Sequence, residues 1–448
     1  MNLNQIHSVY FLGIGGIGMS ALARYFMFLG KNVGGYDKTA SPLTLDLEAV
    51  GMEIHYSDDV SKIDAKFLDK TSCLVVYTPA VPTDHSELNY FRDHGFQLKK
   101  RAAVLGLVTN ETFCFAVAGT HGKTTTSSIL AHLLKEAQLP MTAFLGGISE
   151  DFNNNFYYQG SEYSVVEADE FDRSFLQLSP NIACITSMDA DHLDIYGTGE
   201  ALHESFREFA SRIKENGKLL VCNGLPLAGI TYGIEDDADY CAKNITVENG
   251  VYVFDVQTPT VLYKGVKFGK PGRHNLLNAL VALAMALEAN VAPEKLFQAL
   301  ESFKGVQRRF SYRIKNDDFV FIDDYAHHPT EINAVYQAVS EMHPNKKVLA
   351  VFQPHLFSRT KDFVDDFAKS LSQFESVLLL DIYPAREKPM EGVTSDWLLE
   401  KIENPNKKVI QKEDLLTEIK KNAPEVLVIM GAGDIGLEVV KIEKFFNA

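Results

Sequence analysis

The amino-acid sequence predicts an α/β protein of three domains, and three observations support this prediction. The chain has 448 residues, enough for roughly two to four domains with cores of their own. Short apolar runs without strict alternation, typical of buried parallel strands, alternate with helical patterns along the chain. A unit of strand, glycine turn and helix recurs once in each third. We expect domains at residues 1–108, 109–306 and 307–448.

The first domain is predicted to be a Rossmann-like parallel sheet. Although the stretch from Val9 to Gly30 is mostly apolar, its glycines and Arg24 favour a strand, a turn and a helix over a membrane span. The predicted elements are a strand at Val9–Leu12, a helix at Met19–Leu29, and strands at Asn32–Tyr36 and Ser72–Tyr77.

The second and third domains show the same alternation. The central one is predicted to combine a P-loop ATPase-type parallel sheet with a small antiparallel ribbon between Tyr240 and Phe268, and the last one to be Rossmann-like. Predicted central elements are Phe113–Ala118, Lys123–Glu136, Tyr163–Val166, Ile182–Thr186, Lys218–Cys222, Asn275–Ala289 and Pro293–Phe303. Predicted strands of the last domain are Phe319–Asp323, Lys347–Phe352, Ser376–Asp381 and Val426–Met430.

Composition and charge exclude several functional classes. The 43 Lys and Arg residues against 59 Asp and Glu residues give a net charge of −16, which argues against nucleic acid or an anionic membrane as the main partner. The five cysteines are scattered and form no metal-binding spacing, so we expect reduced thiols. No signal peptide is evident at the start. We therefore expect a cytoplasmic protein without membrane insertion.

The first glycine turn, Gly13–Gly18, has the pattern GxGxxG between a strand and a helix. Glycines let backbone amides approach a diphosphate, and the helix N-terminus favours its negative charge. Asp37 follows at the distance of a ribose-binding acid. The pattern favours a diphosphate ligand in general over NAD in particular, and a purely structural turn is the third interpretation.

The second glycine turn is the most informative motif. Gly119-Thr120-His121-Gly122-Lys123-Thr124-Thr125-Thr126 follows a predicted strand and opens a helix. Backbone donors, a lysine for the β- and γ-phosphates and a hydroxyl for Mg²⁺ are the parts of a P-loop. Because Val117 stands where the full pattern has its first glycine, the loop is predicted to be shortened.

Acidic clusters follow two central strands. Glu167–Asp172 comes after Tyr163–Val166, and Asp189–Asp194 after Ile182–Thr186. Since ligands of open α/β sheets bind at the carboxyl ends of strands, these oxygens are candidate metal ligands beside the P-loop. Solvated loop charge is the alternative interpretation.

Further polar groups lie near the predicted third domain. Asn275, in GRHNLLN, either reads an adenine edge or caps the following helix. The segment from Asp323 to Pro329 supplies carboxylates and two histidines, and Gln353-Pro354-His355 repeats that placement after the next strand. For the third glycine turn, Gly431–Gly436, we favour a structural turn with Asp434 as a side-chain N-cap, because its carboxylate disfavours a diphosphate.

Five motifs occur together and in order: GTHGKTTT, EADE, DADHLD, GRHNLLNA and DDYAHHPTE. In this combination the whole chain resembles the Mur ligase family of cell-wall precursor enzymes. The resemblance implies a UDP-binding domain, an ATPase domain and a C-terminal domain that helps to bind an amino acid.

The resemblance also implies roles for individual residues. The diphosphate of the UDP-sugar would be held by Gly15, Gly16 and Gly18, and Ile17 and Asp37 would also bind this substrate. ATP would be bound by Gly119, Thr120, His121, Gly122, Lys123, Thr124, Thr125, Asn275, Asn278, Arg309 and Asp324, and Mg²⁺ by Thr124, Glu167 and His192. The catalytic set would be Lys123, Glu167, His192, Arg309, His327 and His355, with His327 and His328 also contacting substrate.

The expected reaction is ATP-dependent joining of L-alanine to the lactyl carboxylate of UDP-N-acetylmuramate through an acyl phosphate. GIGGIGMS and FQPHLFSRT favour this substrate pair over that of the related ligase that recycles muropeptides. Two alternative functions fit the sequence less well. An NAD-dependent oxidoreductase has no use for the P-loop, and a regulatory module that only binds a nucleotide has no use for the acidic clusters. We expect a monomer or homodimer, with domain closure to exclude water from the acyl phosphate.

Overall fold

The computed structural model describes residues 3–190, 193–385 and 387–447. The chain forms two compact units. The first comprises residues 1–243, 255–264 and 278–304, and the second comprises residues 244–254, 265–277 and 305–448. Short 3₁₀ helices lie at Leu3–Gln5, Val60–Lys62, Ala65–Phe67, Phe171–Gln177 and Lys412–Asp414.

The first sheet is parallel, with strands in the order β3-β2-β1-β4-β5. Buried apolar side chains from β1 and α1, among them Phe11 and Phe26, form part of its core. Its elements are β1 (Ser8–Leu12), α1 (Ile17–Phe28), β2 (Asn32–Tyr36), α2 (Pro42–Ala49), β3 (Glu53–His55), β4 (Cys73–Tyr77), α3 (Ser86–Asp93), β5 (Gln97–Lys100) and α4 (Arg101–Asn110).

The second sheet begins with a parallel core that surrounds the buried strand β6. Helix α5 is buried along most of its length and packs against this sheet. The elements are β6 (Phe113–Ala118), α5 (Lys123–Glu136), β7 (Met141–Ser149), β8 (Asn154–Tyr158), β9 (Tyr163–Glu167), β10 (Ile182–Ile185), α6 (Leu193–Tyr196), α7 (Gly199–Ser211), β11 (Lys218–Cys222) and β12 (Ile230–Ile234). Strand β8 pairs antiparallel with β7 at the edge.

The predicted ribbon follows as β13 (Tyr240–Glu248), β14 (Val251–Gln257) and β15 (Leu262–Phe268). The second sheet has the order β15-β14-β13-β12-β11-β10-β6-β9-β7-β8. Because only Asn249 and Gly250 connect the neighbouring strands β13 and β14, these two strands must run antiparallel. Helices α8 (Arg273–Glu288) and α9 (Pro293–Ser302) complete this part of the chain.

The third sheet has the order β16-β17-β21-β18-β19-β20, parallel except for the antiparallel edge strand β16. Apolar clusters cover both of its faces. Its elements are β16 (Ser311–Lys315), β17 (Val320–Asp324), α10 (Pro329–Met342), β18 (Val348–Phe352), α11 (Phe357–Asp362), α12 (Val364–Leu371), β19 (Ser376–Leu379), α13 (Ser395–Lys401), β20 (Lys407–Val409), α14 (Leu415–Asn422), β21 (Val426–Met430) and α15 (Ile435–Phe446).

The predicted fold class is confirmed, including three α/β sheets and the added ribbon. The stretch from Val9 to Gly30 forms strand β1, a turn and helix α1, as predicted. In the described part of the chain, no helix combines the length and apolar character that a bilayer span requires. The domain boundaries after residues 108 and 306 stay predictions.

Candidate active site

The P-loop connects strand β6 directly to helix α5. Gly119 has φ +128° and Gly122 has φ +83°, which are backbone conformations that favour glycine. Gly122 is the N-cap of α5, so the amides of the first helical turn open toward the loop. The predicted shortened loop is present as the four residues from Gly119 to Gly122, and it has the features of an anion site.

Lys123 bends back over this loop. Its Nζ donates to the carbonyl oxygens of Gly119 (2.6 Å) and Thr120 (3.3 Å) and to Glu170 Oε1 (2.9 Å). Burial alone would lower the pKa of Lys123, but the nearby carboxylates, Glu170 foremost, raise it above its ordinary value. The lysine is therefore a fixed positive charge at the mouth of the P-loop.

The Thr124 hydroxyl donates to Glu167 Oε2 at 2.8 Å, which joins the start of α5 to the end of β9. Gly146 of β7 leaves the space that the Glu167 carboxylate fills, because a Cβ there would clash with it. These hard oxygen donors fit Mg²⁺. In the described part of the chain, no group of three His, Cys, Asp or Glu residues could hold a metal, and the predicted ligand His192 lies outside the described residues.

A hydrogen-bond network joins the P-loop to the segment after β10. The hydroxyls of Thr120 and Ser187 are 3.0 Å apart, and the amide of His121 donates to Ser187 Oγ at 2.8 Å. The amide of Asp189 donates to Thr120 Oγ1 at 2.9 Å, and its carboxylate lies 3.2 Å from His121 Nε2. The second acidic cluster thus begins beside the P-loop, as predicted from its position after a strand.

The two predicted ATP-site amides differ in their surroundings. Asn278 lies against the P-loop, since a Cβ on Gly122 would be 2.5 Å from Asn278 Oδ1. Asn275 is the third residue of α8, and its Nδ2 donates to the carbonyl of Pro271 at 2.6 Å. The N-cap interpretation of Asn275 is therefore wrong. Gly272, with φ +94°, ends the preceding loop and lets the helix begin earlier than predicted.

Amides of the first glycine turn donate to acceptors at the end of β2 and just after it. The amide of Gly15 donates to Asp37 Oδ2 at 2.7 Å, and Gly16 is the N-cap of α1 without a side-chain cap. Asp37 therefore contacts the turn itself. The predicted UDP-sugar contacts of Gly15, Gly16, Ile17, Gly18 and Asp37 stay predictions.

Arg101 is a candidate binding residue that sequence reasoning missed. A Cβ on Gly18 would lie 2.7 Å from Arg101 Nη1, so the guanidinium packs directly on the first turn of α1. Its other side faces the first acidic cluster, with Nη2 3.5 Å from Asp169 Oδ2. The signal that could have found it is the Lys99–Arg101 run at the carboxyl end of β5, where ligands of such sheets bind.

In the second unit, Asp324 organises the end of β17. Its carboxylate accepts hydrogen bonds from the amides of Phe310 and Ala326, each at 2.7 Å. Burial raises the pKa of Asp324 to about 6, against the opposing effects of Arg309 and the two amides. Arg309 lies 3.8 Å from Glu331 and over the ring of Tyr325 at 5.1 Å. The assignment of Arg309 and Asp324 to ATP stays a prediction.

The two adjacent histidines have different environments. His328 is the N-cap of α10, with Nδ1 accepting from the amide of Thr330 and with Glu331 completing a capping box. His327 Nδ1 lies 2.9 Å from the carbonyl of Tyr325, which fixes the ring proton on Nδ1 when the ring is neutral. His327 Nε2 is then a basic nitrogen. The substrate contacts of both histidines stay predictions.

His355 belongs to the same part of the unit. Its ring centroid lies 6.0 Å from that of His327, and it stacks on Tyr383 at 5.8 Å. Arg359 Nη1 lies 3.3 Å from His355 Nδ1. The structure therefore brings together the two imidazoles that the sequence placed after different strands, β17 and β18. The catalytic role of His355 stays a prediction.

The third glycine turn differs from its predicted form. Asp434 precedes α15 but makes no side-chain cap. Its carboxylate accepts from Gln353 Nε2 at 2.8 Å and from Lys412 Nζ at 2.5 Å. The contact of the Asp434 carboxylate with the charged Lys412 ammonium group is stronger than a hydrogen bond from a neutral backbone amide at the helix start. These three residues line an open cavity of about 320 Å³ at the carboxyl ends of β18, β19 and β20.

Comparison with known proteins adds the family. The Mur ligase family catalytic domain matches residues 8–112, the Mur ligase middle domain residues 117–286, and the Mur ligase glutamate ligase domain residues 308–433. The chain belongs to the Mur ligase family. The family resemblance predicted from the five motifs is thereby confirmed.

Relatives within the Mur ligase family match over the full length. The UDP-N-acetylmuramate–L-alanine ligase of Flavobacterium psychrophilum is 62% identical over 444 residues, covering 99% of both chains. That of Flavobacterium johnsoniae is 59% identical, covering 100% of this chain and 99% of its own.

Solved Mur ligase structures share the fold. The UDP-N-acetylmuramate–alanine ligase of Thermotoga maritima has a TM-score of 0.83 at 28% identity, covering 98% of this chain and 99% of that one. The murein peptide ligase of Psychrobacter arcticus has a TM-score of 0.68 at 25% identity, covering 98% of both chains.

Proposed function

We propose that this chain joins L-alanine to the lactyl carboxylate of UDP-N-acetylmuramate in peptidoglycan precursor synthesis, with conversion of ATP to ADP and phosphate. The observation that carries the proposal is full-length identity of 62% with the alanine ligase of Flavobacterium psychrophilum. The higher structural similarity to the alanine ligase than to the murein peptide ligase, 0.83 against 0.68, favours the same substrate pair.

The P-loop supports the ATP-dependent half of the reaction. A carboxylate must be activated before an amine can attack it, and transfer of the γ-phosphoryl group would give an acyl phosphate. Lys123 and the helix N-terminus at Gly122 would bind and orient the phosphates in this transfer. Catalysis of this kind depends mainly on positioning, which a rigid loop between a buried strand and a buried helix provides.

We assign the Mg²⁺ contacts to Thr124, Glu167 and His192, of which the first two meet at 2.8 Å. When bound, the ion would neutralise charge on the phosphates. Around it, the Thr124 hydroxyl and the Glu167 carboxylate hold each other in place, so the chain itself fixes two oxygen donors beside the P-loop.

The UDP-sugar and the amino acid are assigned to different groups. The first glycine turn would hold the diphosphate, and Arg101 supplies a guanidinium that packs on Gly18. His327 and His355 are assigned to the incoming amine, because a neutral imidazole nitrogen can accept its proton. The amine would attack the acyl carbon, and the tetrahedral intermediate would collapse to the amide with loss of phosphate.

We propose that the enzyme acts in the cytoplasm, which is consistent with the free thiol state of all five cysteines. The deciding experiment is a coupled assay for ADP release with UDP-N-acetylmuramate and a panel of amino acids and peptides. L-alanine should give the highest kcat/KM. A higher value with glycine or serine, or a requirement for a tripeptide, would overturn the choice of substrate.

A further inference from the structure

The ammonium group of Lys123 is fully engaged by the protein itself. It carries three protons, and three acceptors surround it: the carbonyl oxygens of Gly119 and Thr120 and the carboxylate of Glu170. In this arrangement, a phosphate can be bound by Lys123 only if one of these acceptors leaves. Because the incoming phosphate is negatively charged, the acceptor that it would replace is the Glu170 carboxylate and not a neutral carbonyl.

Glu170 is held firmly at this position. Its side chain is 1% exposed, and its backbone carbonyl accepts a hydrogen bond from the Tyr196 hydroxyl at 2.6 Å. A buried carboxylate is stable only beside a cation or strong donors, and Lys123 supplies a cation 2.9 Å away. Glu170 and Lys123 therefore stabilise each other when no nucleotide is bound.

The position of this pair indicates which part of the nucleotide takes the place of Glu170. In a P-loop, the lysine serves the β- and γ-phosphates, while the helix amides hold the inner phosphates. Lys123 Nζ already lies at the loop, bonded to two of its carbonyls. The lysine does not have to move far to bind a terminal phosphate, but it does have to exchange its anionic partner.

We propose that Glu170 is the counter-ion that the terminal phosphate of the nucleotide replaces on Lys123. The carboxylate holds the ammonium group at the P-loop in the empty enzyme and releases it when a triphosphate binds. Glu170 is thus a positioning residue, and it sets part of the free-energy difference between the empty and the loaded site. The inference rests on the proposed use of ATP.

Glu170→Gln tests the exchange, because it keeps the shape and an acceptor but removes the competing charge. We expect the variant to bind a non-hydrolysable ATP analogue with Mg²⁺ about 10-fold more tightly in calorimetry, since a neutral amide competes less with phosphate for the lysine. ADP lacks the terminal phosphate, so its affinity should change less. Glu208→Gln is the matched control, because this exposed carboxylate pairs with Arg212 and lies outside both acidic clusters.

Thermal unfolding separates this exchange from a purely structural role. Without nucleotide, Glu170→Gln should lower Tm, because Lys123 loses its charged partner. With saturating analogue, the difference in Tm between the variant and the parent protein should shrink or change sign. The analogue should therefore raise Tm more in the variant than in the parent protein. A structural role alone would lower Tm equally in both conditions and would contradict the proposal.

The binding measurements can also overturn the proposed exchange of Glu170 for phosphate on Lys123. Unchanged or weaker binding of the analogue by Glu170→Gln would overturn the exchange, and an equal gain for ADP would overturn its assignment to the terminal phosphate. If Glu170→Gln does not fold, Glu170→Asp withdraws the carboxylate by one methylene and should bind the analogue with an intermediate gain. Failure of the parent protein to bind the analogue at all would instead contradict the proposed function.

Discussion

The Thr124 hydroxyl and the Glu167 carboxylate meet at 2.8 Å and link the first turn of α5 to the end of β9. Both residues are predicted Mg²⁺ ligands, and they come from segments more than forty positions apart. This hydrogen bond fixes the start of α5 and the end of β9 relative to each other without a bound metal ion.

Removing the Thr124 hydroxyl should weaken the binding of Mg²⁺ that supports ADP release. We expect Thr124→Val, which keeps the shape of the side chain, to raise the half-saturating Mg²⁺ concentration for ADP release by about 10-fold or more. Thr124→Ser retains the hydroxyl and should remain close to the parent protein. An unchanged Mg²⁺ titration in Thr124→Val would show that the hydroxyl is not a metal ligand.

Lys123→Met should abolish turnover, with a loss of kcat of at least about 100-fold in the ADP-release assay. The same substitution leaves the buried Glu170 carboxylate without its cation, so the unfolding free energy should also fall. The double variant Lys123→Met/Glu170→Gln removes both charges. It should recover stability in urea unfolding without recovering activity, and recovery of activity would refute the role of the lysine.

Arg101→Gln should weaken binding of the UDP-sugar by about 10-fold or more, because a charge-assisted contact to an anion is lost. Affinity for ATP should be unchanged. Lys100→Gln, which removes the neighbouring exposed cation, is the matched control. Calorimetric titrations of both variants check this, and equal affinities for the UDP-sugar in the two variants would exclude Arg101 from its site.

Glu87 predicts a pH dependence of stability in the first unit. Its carboxylate is completely buried and accepts from the Tyr10 hydroxyl at 2.7 Å, and His55 Nε2 lies 3.4 Å away. Burial raises the pKa of Glu87 from an ordinary value of 4.5 to about 7. Between these values the folded state binds more protons than the unfolded state, so stability falls as pH rises through this window, by about 3 kcal/mol at most.

Glu87→Gln should remove this contribution. Urea unfolding of both proteins from pH 5 to pH 8 measures the difference in their unfolding free energies. We expect the variant to gain stability relative to the parent protein as pH rises. A difference that stays constant over this range would mean that Glu87 does not titrate there.

The sequence predicted local structure best where glycine and apolar patterns act together. Strand β6 and helix α5 begin and end at the predicted residues, because a buried strand, a glycine turn and a helix start leave few alternatives. The predicted starts of α1 and α8 were two residues late, since the turn residues before them already adopt helical hydrogen bonding.

Side-chain partners that come from distant segments were not predictable. The local pattern favoured Asp434 as a helix cap, but Lys412 and Gln353 bind its carboxylate instead. Arg101 was overlooked for the same reason, because the fold brings it to Gly18 and Asp169. Glu170 was predicted only as part of an acidic cluster, and its pairing with Lys123 was not foreseen. Motifs identify the chemistry of a site, whereas the counter-ions that tune it depend on tertiary structure.

In the proposed reaction, the lactyl carboxylate is activated as an acyl phosphate and then captured by L-alanine. An assay with UDP-N-acetylmuramate that carries ¹⁸O in both carboxylate oxygens, followed by mass spectrometry of the products, tests this sequence of steps. One ¹⁸O should appear in the released phosphate, and the other should remain in the new amide. Phosphate free of ¹⁸O, or AMP that carries the label together with released diphosphate, would exclude the acyl phosphate.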